Sequence, residues 1–174
     1  AYSPGANDNA SGIGVVLSLA EQLAKTPLEH TKVWIVLTGC EEVGCYGSDE
    51  FIRKHKNALG NAAWITIDTV GSYRGVPVFL SEETFLTTGK SDERLLRTMR
   101  EINLRHPEVG AHEISMKGAY TDGAIGSKHG LRVLTLESHQ EDGTLSNWHR
   151  PTDTIDAVSP ECIQATESLV YELL

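Results

Sequence analysis

The sequence predicts an α/β fold, a sheet layered between helices, and three observations carry that prediction. Apolar runs of strand length recur at 33–37, 62–67 and 132–136, and each gives way to polar or acidic residues. Segments with apolar residues at helical spacing lie between them. The chain has 174 residues, 40% of them hydrophobic, which suits one domain with a sizeable core. No linker or internal repeat divides residues 1–174.

From Ala1 to Asn9 the composition is that of a loop, and it runs into a helix whose apolar positions are Ile13, Val16, Leu17, Ala20, Leu23 and Ala24. Asp8, Asn9 and Ser11 all qualify as its N-cap. The alternative for Asp8 is a tight backbone path, permitted by Gly5, Asn7 and Gly12, that aims it into a cleft. Thr26-Pro27 ends the helix. Val33-Trp34-Ile35-Val36-Leu37 reads as a buried strand that stops at Thr38-Gly39-Cys40-Glu41-Glu42. In open α/β sheets ligands bind beyond the carboxyl ends of strands, so two acids there are placed for chemistry. Ser48 is the expected cap of the next helix, whose acids come first and whose bases come last, as the helix dipole favours.

Ala62–Ile67 is a second buried strand, with Asp68 at its end. Val76–Leu80 is expected at a sheet edge, because Pro77 cannot donate to an inner ladder. Asp92 to His106 is helical through Leu95, Leu96, Met99 and Ile102, with Pro107 as its stop. A short strand around Glu113–Met116 leads to a loop in which Asp122 is an N-cap or backbone clamp, with substrate contact as the alternative. Arg132–Leu136 is the last strand, followed by a polar loop from Glu137 that reaches His149. Ser159-Pro160-Glu161 begins the closing helix, Ser as cap and Pro in the first turn.

The net charge of −9 and the lack of a basic stripe argue against nucleic acid as a partner. No apolar run approaches membrane-spanning length, so a soluble protein is expected, cytoplasmic or secreted. Cys40, Cys45 and Cys162 are odd in number and show no metal spacing; buried free thiols are expected.

Asp8, Glu41, Glu42, Asp68 and His149 all stand where they can reach one sheet edge. Four carboxylates in one cleft resist joint ionisation, and two divalent cations remove the conflict. The charges of Asp8, Glu42, Asp68 and a hydroxide balance two Zn²⁺ and leave Glu41 free as a base.

The segments Pro4-Gly5-Ala6-Asn7-Asp8-Asn9-Ala10-Ser11-Gly12, Gly39-Cys40-Glu41-Glu42-Val43-Gly44-Cys45-Tyr46-Gly47-Ser48, Ile67-Asp68 and His149-Arg150-Pro151-Thr152-Asp153 resemble the M28 zinc metallopeptidases, aminopeptidases with two co-catalytic zinc ions. The resemblance spans nearly the whole chain. It implies a mixed, mostly parallel sheet between helices and a peptide substrate with a free N-terminus. It also implies Asp8 as bridging ligand, Glu42 and His149 completing one zinc, Asp68 on the other, and Glu41 as general base. Members of the family carry a His-x-Asp motif upstream of the bridging Asp. This chain begins after that point, so the expectation is a catalytic domain without its N-terminal strands, with one well-formed zinc site. The family's Tyr before the last His is Trp148 here, which offers only an indole N–H. Two other readings share the fold: glutaminyl cyclase, with one zinc on an Asp, a Glu and a His, and a non-enzymatic homologue. M20 peptidases fit less well, since little chain separates Asp68 from His149.

Overall fold

The computed structural model describes residues 2–83 and 88–174. Its helices are α1 (Ala10–Lys25), α2 (Tyr46–Leu59), α3 (Glu93–Arg105), α4 (Asp122–Lys128) and α5 (Pro160–Leu173). Its strands are β1 (Ala63–Ile67), β2 (Val76–Glu83), β3 (Thr88–Gly89), β4 (His112–Lys117) and β5 (Arg132–His139). The loop expected from Ala1 is seen from Tyr2 onward; Ala1 lies outside the described residues. No helix among these residues is long and apolar enough to cross a membrane.

The strands form one mixed sheet in the order β1-β5-β2-β3, with β4 also paired to β2. β1 runs parallel to β5 and β2 parallel to β4, whereas β2 is antiparallel to β5 and to β3. Side-chain alternation assigns the two faces. Ile65 and Ile67 of β1 and Leu134 and Leu136 of β5 join Val15, Leu19, Met99, Ile102 and Leu169 in a core with α1, α3 and α5. On the opposite face Trp64 packs with Phe51, Ile52 and Ile125 of α2 and α4. The sheet is therefore covered on both sides, and the carboxyl end of β1 is left to the loops.

Several expectations change. Asn9, not Asp8 or Ser11, caps α1: its side chain accepts from the Gly12 N–H. That choice frees Asp8. α2 begins before Ser48, with Cys45 at the cap in a left-handed conformation, and Ser48 instead donates to the Cys45 carbonyl at 2.9 Å. Thr121 rather than Asp122 caps α4. β2 is an interior strand despite Pro77, and the reason is register. Its ladder with β4 begins only at Val78, so at Pro77 a strand neighbour is present on the β5 side alone. β5 continues three residues past Leu136 and buries Glu137, Ser138 and His139. Cys40 is exposed, while Cys45 and Cys162 are the buried thiols expected.

Val33–Leu37 departs furthest. It forms no ladder with any described strand, and Trp34, Ile35 and Leu37 are exposed at 38%, 41% and 60%. Apolarity alone does not make a strand, which needs a hydrogen-bonded neighbour. Trp34 is nonetheless anchored edge-on to Phe51 and His55 of α2.

Candidate metal centre

Three turns meet beyond the carboxyl end of β1. The first carries Asp8, and it is held by backbone and side-chain bonds from two directions. The Asn9 carboxamide oxygen accepts from Gly12 N at 3.0 Å and Thr69 N at 3.1 Å, and its amide donates to the Ile67 carbonyl at 3.0 Å. Gly12 is needed here, because a Cβ would come within 2.4 Å of both Asn9 Oδ1 and the Ile67 carbonyl. The Asn7 side chain accepts from Gly71 N at 2.7 Å. These bonds lock the Asp8 turn to the segment that follows β1.

The second direction comes from Asp153, which is fully buried. Its carboxylate accepts from Asn7 N at 2.8 Å and Asp8 N at 3.1 Å, and its carbonyl from Ala6 N at 3.2 Å. Asp153 belongs to the tight turn that carries His149, which closes through Arg150 N to Asn147 O and Asp153 N to Arg150 O, both 3.0 Å. His149 itself adopts φ +56°, and its ring stacks on Trp148 with centroids 4.1 Å apart. One turn thus supplies an imidazole and the clamp for the opposing aspartate.

Glu41 and Glu42 lie on the third turn. Gly44 N and Cys45 N both donate to the Glu41 carbonyl at 2.9 Å, and Gly47 N donates to Gly39 O at 3.0 Å. At Gly47 a Cβ would fall 2.2 Å from the Gly39 carbonyl, so only glycine lets the two ends of this turn touch.

His149 Nε2 lies 3.0 Å from Glu42 Oε2 and 3.4 Å from Asp8 Oδ2. The donor atoms of Asp8, Glu42 and His149 all fall within 4.8 Å of one another, and no other such group occurs among the described residues. Asp68 and Glu41 stay outside it. Asp68 follows β1 directly and accepts from Thr69 Oγ1 at 3.1 Å. His139 and His129 are not members of the group: His139 Nε2 pairs with Glu137 at 2.7 Å, and His129 Nε2 with Asp49 at 2.7 Å.

The electrostatics are those of crowded acids. Burial first, then the Glu42 charge, raise the Asp8 pKa to about 6, against a smaller lowering by His149. Burial also raises Glu41 to about 7, with Glu42, Asp122 and Asp8 adding to it and the Cys45 thiol opposing. Asp68 is pushed well up by burial, then by Glu137, Asp8 and Glu41. A cation among these carboxylates relieves all three effects together.

The sequence signals for Asp8, Glu42 and His149 therefore converge in space. The residues missed were Asp153, an acid in the His149 motif whose full burial no local pattern reveals, and Asn7, whose side chain bridges three loops. Trp148 was considered for its N–H, whereas the structure uses its ring face.

A protein-family model described as peptidase family M28 matches residues 1–174. Aminopeptidase YwaD of Bacillus subtilis is 26% identical over 174 residues, covering 97% of this chain and 37% of that protein. The alkaline phosphatase isozyme conversion protein of Escherichia coli is 24% identical over 157 residues, covering 83% of this chain and 41% of its own length. This chain thus spans about two fifths of these relatives. Among solved structures, BSAP, a zinc aminopeptidase from Bacillus subtilis, superposes with a TM-score of 0.82 at 23% identity over 98% of this chain and 42% of that one, which shows a shared fold.

Proposed function

The chain belongs to peptidase family M28, and on that premise we propose that the protein hydrolyses peptide bonds with zinc, removing residues from the free N-terminus of peptides. The observation that supports this reading best is the spacing of the donor atoms. A tetrahedral ion with bonds near 2.0 Å separates its ligands by about 3.3 Å, and His149 stands 3.0 and 3.4 Å from Glu42 and Asp8. Two carboxylates and one imidazole are a zinc set that leaves a fourth position open.

In this reading Asp8, Glu42 and His149 would hold one zinc, and Asp68 together with Asp8 would hold a second. What supports that sharing is that Asp8, after burial and Glu137, helps push the Asp68 carboxyl up. When bound, zinc supplies a Lewis acid that polarises the scissile carbonyl and acidifies water. Glu41, left out of the donor group, takes a proton from the attacking water and returns it to the departing amine. A carboxyl beside the donor acids but outside their group is suited to both transfers. Asp153 and Trp148 keep Asp8 and the His149 ring aligned.

The test uses the full-length protein loaded with zinc. Chromogenic aminoacyl substrates are cleaved and their N-acetylated forms are not, and Glu41→Gln keeps its metal while turnover falls by roughly two orders of magnitude. Equal cleavage of blocked peptides would remove the aminopeptidase assignment. Cyclisation of N-terminal glutamine in place of hydrolysis would move the protein to the cyclase chemistry.

A further inference from the structure

Glu41 has a neighbour whose chemistry the reading above does not use. Cys45 is fully buried and sits at the start of α2 with φ +54° and ψ +34°, making no side-chain cap bond. Its Sγ instead lies 3.5 Å from Glu41 Oε1, and its own N–H donates to the Glu41 carbonyl. The residue that meets the Glu41 carboxyl is thus also bonded to the Glu41 backbone.

A second carboxylate faces the same thiol. Asp122 is 8% exposed; its Oδ2 accepts from Thr38 Oγ1 at 2.5 Å, and its Oδ1 has no hydrogen-bond partner among the described residues. The thiol interacts with both acids, and burial together with these two charges pushes its pKa upward. Cys45 therefore stays an S–H group, and Glu41 Oε1 is the acceptor that its geometry offers. An aliphatic side chain here would leave both carboxylates against an apolar wall.

We propose that Cys45 is a positioning residue for Glu41: its thiol fixes Oε1, so that Oε2 is presented to the reacting water. The proposal rests on the reading of Glu41 as the base. The side chain touches neither substrate nor metal ligand, and it acts only by restricting the rotamers of Glu41. One weak hydrogen bond sets the scale of the effect.

The experiment has two parts, both on the full-length zinc-loaded protein. In steady-state kinetics, Cys45→Ala lowers kcat about fivefold with KM unchanged, and Cys45→Ser, which restores a donor, stays within about twofold of wild type. In infrared difference spectra, wild type minus Cys45→Ala isolates the Cys45 S–H stretch; Cys45→Ser serves for the subtraction if the alanine variant does not fold. Glu41→Gln moves that band to higher frequency, because an amide oxygen is a weaker acceptor than a carboxylate. An unmoved band alongside an inactive Glu41→Gln enzyme overturns the Cys45 proposal alone. A moved band alongside a fully active Glu41→Gln enzyme overturns the base assignment and with it the role given to Cys45.

Discussion

Asp153→Asn separates the two effects that the buried aspartate exerts on Asp8. Its charge repels the Asp8 carboxylate and helps raise it, whereas its two oxygens accept from Asn7 N and Asp8 N. The substitution keeps the shape, leaves one oxygen as acceptor and turns an NH₂ toward the second backbone N–H, donor against donor. A hydrogen bond to a charged group contributes about 1.5–3 kcal/mol, and an unsatisfied buried donor costs about 1–3 kcal/mol. Relief of repulsion with half-buried Asp8 offsets only a fraction of this, so a net loss of about 2–3 kcal/mol is expected. Urea denaturation at fixed pH reads that loss as a lower midpoint with an unchanged slope. Because the same bonds aim Asp8 at His149, zinc affinity measured against a chromophoric chelator falls about tenfold or more. A variant as stable as wild type or more so, with undiminished zinc affinity, would show that repulsion outweighs the clamp and refute the reasoning.

The metal-free protein depends on pH through its raised carboxyls. Asp8 titrates near 6 and Glu41 near 7 when folded, above their ordinary values. The unfolded chain therefore releases these protons first, so the stability these two groups contribute is fullest below about pH 4 and is lost as pH rises to about 7. Discounted for the exposure of the site, the loss is about 2 kcal/mol; thermal melts in chelator from pH 4.5 to 8 would show it, and a flat profile would contradict the assigned crowding. Adding zinc should flatten that profile. His149→Ala removes a proposed ligand whose side chain is 48% exposed, so zinc affinity drops at least about a hundredfold while stability without metal changes by less than about 0.5 kcal/mol.

Much of this was legible in the sequence, and the boundary is physical. Helices announce themselves locally: Asp92 before α3 and Ser159-Pro160 before α5 cap where their chemistry says. Glu41, Glu42 and Asp68 were legible because each follows an apolar run, whereas Asp8 also qualified as an N-cap and stood out only through its motif. Val33–Leu37 was legible as apolar but not as unpaired, since a ladder is a property of two segments. Pro77 misled because an edge rule was applied to a whole strand, whereas only its own position needs a missing neighbour. Glu137 and His139 read as loop because polarity suggests solvent; in the fold each satisfies the other at 2.7 Å inside β5. Asp153 was hidden for a related reason, since its partners are backbone N–H groups 145 and 146 positions away.

The shared turn of His149 and Asp153 makes the centre partly self-registering. Asp8 hangs from Asp153, so the Asp8–His149 distance is fixed within one short loop and not across the length of the chain. Asp8 and His149 are also held, through the Asp8 turn, to the segment that follows β1, so their spacing survives. Glu42, 58% exposed on a separate turn with its own closure, is not held by these bonds. The centre therefore behaves as a two-jawed vice, with Asp8 and His149 as the fixed jaw and Glu42 as the moving one. Thermal motion between the loops would open or close the site at Glu42 first.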